Sequence, residues 1–302
     1  MKIKVFRQSL MQKCSRICLF SAFCLFVLCA MPFRAIAMDW PSGDAVLARN
    51  FGWNDSGEPV LGSVFRGEGK VQAVEAGELI FHNSGGVSGL PSPLGAWTAI
   101  DHGDGLISIY CRTDENSAKP PVIVEKKSPV ADSGISGWTK NKGFYFVLYD
   151  RRERRWVNPS MIISPFPDTR APQIISVDLR NSRGEQLSGP ALRSLPQGAY
   201  TITVNAIDTM QAPNEPPLAP HRIICSINGN EAGSLNFETI SARGGQLLIN
   251  RGMQIPVRQV YAPFPAFEAG DALLSRGQAN LEVIVQDIAG NSRSTIIRMQ
   301  VE

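Results

Sequence analysis

The chain has 302 residues with 30 Lys and Arg against 27 Asp and Glu, 43% hydrophobic residues, 27 glycines and 21 prolines. Six of the 30 basic side chains and no acidic one fall in residues 1–37, so the remainder carries 24 basic against 27 acidic groups. Beyond residue 37 the chain is therefore mildly acidic, which gives no electrostatic basis for nucleic-acid binding.

The opening segment carries Lys2, Lys4, Arg7, Lys13 and Arg16, then an apolar run from Ile17 to Met31, then small residues at Ala35 and Ala37. That is the pattern of a secretory signal peptide. Its apolar run is shorter than the ~20 residues a membrane-spanning helix needs, and no second such run follows. Residues 1–37 are thus expected to be an export signal, with no transmembrane segment after its removal. Four of the six cysteines lie in it, leaving Cys111 and Cys225. Two distant cysteines are read as two buried apolar residues.

After the signal no long helical periodicity occurs. Short runs rich in Val, Ile, Tyr and Phe alternate with turn residues, among them Val71–Val74, Leu79–His82, Trp97–Asp101, Ile107–Cys111, Phe144–Tyr149, Tyr200–Ile207, Ile223–Ile227, Leu281–Gln286 and Thr295–Val301. The expected class is all-β. The clearest break is Ser164 to Pro172, where three prolines stiffen the chain. It divides the chain into a first domain at 38–166 and a second at 167–302.

In the first domain the order of pieces is informative. Phe51-Gly52-Trp53 opens it, and Val71 to Ile80 reads as strand, turn, strand around Gly77. Ala99-Ile-Asp-His-Gly-Asp-Gly-Leu106 is a hairpin whose Asp-Gly provides the positive φ angles of a tight turn. The return strand reaches Tyr110-Cys111-Arg112. Then Val130 to Gly134 leads to Gly143-Phe-Tyr-Phe-Val-Leu148, and Trp156-Val-Asn-Pro159 closes the unit.

This succession resembles the lysostaphin or LytM-type zinc endopeptidase domain, the duplicated hybrid motif, a small antiparallel β-structure with a central groove. The resemblance implies a peptidoglycan-peptidase-like domain, which in that family holds one zinc. The family's early His and Asp ligands fall near Glu58 and Gly62. Its His after Tyr-x falls on Arg112, and its His-x-His pair falls on Gly143 and Tyr145. A catalytic zinc site needs about three protein ligands and an open position for water, and neither glycine nor tyrosine replaces imidazole here. The expectation is a pseudoenzyme without cofactor. His102 is read as a structural turn residue and His82 as an ordinary exposed one.

A groove without its metal keeps its walls. Tyr110, Phe144 and Tyr145 are candidate wall residues, and Arg112 is a candidate carboxylate contact. Arg151, Arg152, Arg154, Arg155 and Trp156 form a basic turn for which contact with anionic polymers and a plain solvated hairpin tip both remain open. The resemblance implies an exported protein of the periplasm or outer cell envelope that binds peptidoglycan or a cell-wall enzyme. An active peptidoglycan metalloendopeptidase with an unusual site and a structural or adhesive surface protein are the alternatives.

In the second domain, Gly198 to Asp208 and Asn280 to Asp287 alternate with period two and end at an Asp before a turn. With the closing hairpin at Asp287-Ile-Ala-Gly-Asn291, this resembles a bacterial immunoglobulin-like β-sandwich. Asp208 and Asp287 invite reading as calcium ligands, but aspartates at strand ends ordinarily bond turn amides.

Overall fold

Strand-forming runs bounded by glycine turns build the chain almost entirely from antiparallel sheet, in agreement with the all-β expectation. The computed structural model describes residues 38–84, 92–210, 216–262 and 266–302; the expected signal, 1–37, lies outside the described residues. Residues Met38–Glu302 belong to one compact unit. Helical structure among the described residues is limited to short 3-10 turns such as Pro159–Met161, and no helix is long and apolar enough to cross a membrane.

The first half is organised by Gly143–Asp150, which pairs with Leu106–Thr113 on one side and Ser63–Arg66 on the other. Leu106–Thr113 pairs in turn with Ala96–Asp101, through the hairpin whose Gly103, Asp104 and Gly105 all have positive φ. Lys70–Gln72 and Gly77–Asn83 are not hydrogen-bonded to each other. Lys70–Gln72 joins Pro129–Asp132 in a separate ribbon, while Gly77–Asn83 extends the main sheet. The ribbon's Val71 and Val130 pack with Tyr110, Phe144, Phe146 and Leu148 in one core.

In the second half, Gly198–Ile207 lies between Gln173–Asn181 and Ala266–Leu274. A second sheet runs Ser292–Val301, Gly277–Gln286, Arg222–Ile227 and Asn230–Arg243. Alternation places Ile202 and Val204 of one sheet in a common core with Ile223, Cys225, Val283 and Val285 of the other. Cys111 and Cys225 are both free and buried, and burial pushes each thiol up to about 12.

Backbone pairing runs without interruption between the halves. Arg155–Val157 continues from Gly143–Asp150 and also pairs with the long strand Asn230–Arg243, with Trp156 opposite Ile240. Phe51, early in the chain, is fully buried in the core of the second half, and such a burial contributes roughly 1.5–3 kcal/mol. Asn50 bonds Ala219 reciprocally, its amide donating to the Ala219 carbonyl and its side-chain oxygen accepting the Ala219 N–H, both at 2.8 Å. Asn158 donates to the Phe237 carbonyl at 2.8 Å, and the Tyr261 hydroxyl donates to the Gly52 carbonyl at 2.8 Å.

Gly52 is confined in two ways. Its φ is +81°, and a Cβ added there would stand 2.3 Å from Cδ1 of Phe237. The backbone conformation disfavours any L side chain, and the phenyl ring leaves no space for one. Gly52→Ala is therefore expected to lower unfolding free energy by about 1–3 kcal/mol, read as a shift of the urea midpoint. An unchanged midpoint would mean that Phe51-Gly52 does not dock as described.

Candidate functional site

Register places Tyr145 between Val64 and Cys111, on the two strands that flank Gly143–Asp150. Its half-buried ring carries a hydroxyl that accepts the Leu61 N–H at 3.0 Å. Burial holds this phenol well above its ordinary pKa, with Cys111 nearby acting in the same direction, so it stays protonated at neutral pH. The Arg112 guanidinium lies 5.2 Å from the ring centroid, close enough for a cation–π contact. Arg112 holds φ +60°, unusual for a residue with a side chain. Its backbone N–H donates to the Leu94 carbonyl at 2.7 Å and its Nε to the Pro93 carbonyl at 3.3 Å.

The positions singled out by the sequence resemblance thus largely meet. Gly62 abuts the strand that carries Tyr145, and a Cβ added there would stand 2.1 Å from the Phe146 carbonyl oxygen. No side chain fits at Gly62 in this backbone. Glu58 stands apart from this cluster, exposed on the short strand Glu58–Pro59 beside Asn54–Asp55.

Beside this cluster opens a groove of about 290 Å³. Four cations line it: Arg49, Arg66, Arg112 and Lys140. The one acidic residue in its lining is Asp55, paired with Arg49 at 2.6 Å. Trp138 also lines the groove and is 72% exposed. Strand pairing creates the arrangement: Arg66 lies opposite Gly143, and the turn before Gly143 brings Trp138 and Lys140 alongside.

The other predicted site residues go elsewhere. Phe144 contributes to the groove lining but is almost fully buried, stacked on Phe65 with ring centroids 4.8 Å apart. Tyr110 has no exposed surface; its hydroxyl accepts the Val74 N–H at 3.0 Å, and burial pushes its pKa up to about 12. Tyr110 is a core residue and not a groove wall.

The basic turn sits at the far end of Gly143–Asp150, about 23 Å from Gly143 at the usual rise per strand residue. There Arg151 pairs with Asp101 at 3.3 Å, Arg152 with Asp104 at 3.0 Å, and Arg155 lies 3.5 Å from Asp150. Arg154 occupies a left-handed turn position. The Arg151 N–H also donates to the Gly105 carbonyl at 2.8 Å, so this turn clasps the neighbouring hairpin. Trp156 packs against the core of the second half, edge-on to Tyr149 at 5.5 Å. Groove and basic turn are therefore two separate surfaces.

His102 bridges two chain segments, with Nδ1 2.9 Å from the Ala76 carbonyl and Nε2 2.7 Å from the Ser108 hydroxyl. His82 lies 3.0 Å from the Thr98 hydroxyl and is partly buried. Both geometries fit structural roles. Sequence reasoning missed Arg49, Arg66, Trp138 and Lys140, because they lie in separate stretches of chain that no linear motif joins.

A protein-family model matches residues 171–302. No curated protein sequence matches the chain. Among solved structures, the catalytic domain of a prophage-encoded M23 protein from Enterococcus faecalis is 20% identical, with TM-score 0.33, over 38% of this chain and 88% of that one. A zinc-containing peptidase from Vibrio cholerae is 18% identical, with TM-score 0.35, over 43% and 41% of the two chains. Lysostaphin from Staphylococcus simulans, an antimicrobial peptidase, is 12% identical, with TM-score 0.31, over 70% and 87%.

Because the Tyr145 hydroxyl accepts the Leu61 N–H, its removal leaves a partly buried donor unpaired. Tyr145→Phe is expected to lose about 1–2 kcal/mol of stability in urea denaturation, with the native circular dichroism spectrum retained. A cost near zero would show that water replaces the phenol without penalty.

Proposed function

We propose that this protein is an exported component of the bacterial cell envelope whose LytM-like first half binds an anionic peptide without cutting it. The immunoglobulin-like second half serves as its scaffold. The occupant is a carboxylate-bearing peptidoglycan stem peptide or an acidic segment of a cell-wall enzyme, and the protein needs no zinc for this role.

One observation carries the reading. Where the family would assemble metal ligands, this chain has a glycine with no space for a side chain, a neutral phenol bonded to backbone, and an arginine stacked on that phenol. A phenol held protonated is a poor ligand for zinc, which prefers thiolate, imidazole or carboxylate. A guanidinium at the same point repels a cation and attracts a carboxylate.

The adjoining groove supports the same conclusion. Of its four cations, Arg49 is paired with Asp55, which leaves the lining net positive. A chain that is mildly acidic beyond residue 37 and gathers this positive charge in one concavity beside an exposed tryptophan has the chemistry to hold an extended acidic chain, with the indole covering its apolar part. The basic turn at Arg151 to Arg155 is committed largely to ion pairs within the fold, so the groove is the better binding surface.

Retention on purified peptidoglycan sacculi tests this reading. The wild-type protein is expected to co-sediment with sacculi at low salt, to release no peptide fragments, and to elute as ionic strength screens the groove. Combined Arg66→Ala, Arg112→Ala and Lys140→Ala substitutions are expected to weaken retention by about tenfold or more, at about 1.4 kcal/mol per tenfold. Equal retention of the triple variant would remove the groove from the mechanism. Chelator-sensitive release of peptides would overturn the non-catalytic assignment.

A further inference from the structure

Three aspartates converge where the proline-rich connection crosses the ends of two strands. Asp208 directly follows Gly198–Ile207, Asp287 directly follows Gly277–Gln286, and Asp168 lies in the connection itself. One carboxylate oxygen from each lies within 4.8 Å of those of the other two. Asp208 and Asp287 are only 6% and 3% exposed.

The expectation that strand-end aspartates bond turn amides accounts for Asp287. Its Oδ1 accepts the Asn291 N–H at 2.8 Å and its Oδ2 accepts the Asn291 side-chain amide at 2.7 Å. Asp168 Oδ1 accepts the Arg170 N–H at 2.9 Å. Asp208 is accounted for only in part, by a hydrogen bond from the Thr209 backbone to its carboxylate. Its backbone N–H and carbonyl are both bonded to Leu218, while its side-chain Oδ1 is buried with no hydrogen-bond partner. A buried carboxylate with one unpaired oxygen, grouped with two other carboxylates, is costly without a cation.

The described residues around the three carboxylates supply no such cation. The three aspartates line a small, partly open cavity of about 40 Å³, and no Lys or Arg is among the described residues that line it. Two arginines close in sequence to lining residues are engaged elsewhere, Arg170 with the Met210 carbonyl and Arg222 with the Ser234 hydroxyl. His221 also lines the cavity, and its Nδ1 is buried without a partner. Burial, then the charges of Asp287 and Asp168, raise the Asp208 pKa to about 7, and the hydrogen bond from the Thr209 backbone offsets this only in part.

We propose that this cavity binds one divalent cation of the hard, oxygen-seeking class, calcium in particular, through the carboxylates of Asp168, Asp208 and Asp287. Three carboxylates in an oxygen-rich pocket suit such an ion, which accepts several oxygen ligands in flexible geometry. Because the cavity is also lined by Asn50 and Asn158 of the first half, the ion would fasten the connection to both strand ends and steady the joint between the halves.

The purified full chain, treated with chelator and desalted, tests the proposal. Calcium chloride at about 1 mM is expected to raise Tm by several degrees, as an ion that binds only the folded chain must. Native mass spectrometry is expected to show one calcium per chain. Asp208→Asn is expected to lose at least about tenfold in calcium affinity, yet to melt no lower than the parent in chelator, since a neutral amide replaces a buried charge beside two other carboxylates. Asp168→Asn, on the more exposed connection, is expected to lose the same calcium response. Absence of bound calcium and of any Tm shift would overturn the site and leave a proton shared among the carboxylates. A calcium response undiminished in both variants would place the ion elsewhere, and a response to magnesium but not calcium would overturn the choice of ion.

Discussion

The structure depends on one junction, where Phe51 and Gly52 pass against Phe237 and the strand carrying Trp156 pairs with the strand carrying Ile240. A phenylalanine from the first half belongs to the second core, and Leu218 from the second half belongs to the first. The conformational entropy of ordering both halves is offset by burial that they share. Gly52 sets the closeness of the contact, because its missing Cβ lets the Phe237 ring approach the backbone.

That junction also shapes the groove. Ser63–Arg66 pairs with the start of Gly143–Asp150, while the end of the same strand turns into Arg155–Val157 and joins the second half. The strand is therefore anchored at both ends. A guanidinium stacked on a ring needs such support, since an arginine side chain loses considerable rotamer freedom when held in place. The left-handed backbone at Arg112 is maintained because Leu94 and Pro93 carbonyls receive its N–H and Nε–H.

Local patterns made much of the fold legible. The Asp-Gly hairpin at Gly103–Gly105 and the alternation of Gly198–Ile207 are each written within a few neighbouring residues, and the structure repeats them. The core role of Tyr110 was not legible, because alternation alone does not reveal that the ribbon of Lys70–Gln72 and Pro129–Asp132 covers the second face of its strand. Arg66 and Lys140 were missed for a related reason: 74 positions apart, they meet only through strand register. The ion pairs of the basic turn were not legible either. Four arginines in five positions left polymer contact and a plain hairpin tip both open, and no local motif shows that the facing hairpin carries Asp101 and Asp104 to pair with Arg151 and Arg152.

The two buried thiols place a constraint on how the chain reaches its folded form. Cys111 faces Trp97 and Tyr145 across its strand pairs, while Cys225 belongs to the core of the second half. A disulfide between them requires matched geometry and accessible thiolates, and the folded chain keeps both thiols sealed. In an oxidising surrounding, only the unfolded chain can form that bond, and a chain so linked cannot return both sulfurs to their separate places. Correct folding is then a race between packing and oxidation, and once packing wins the fold itself shields the sulfurs that would have trapped it.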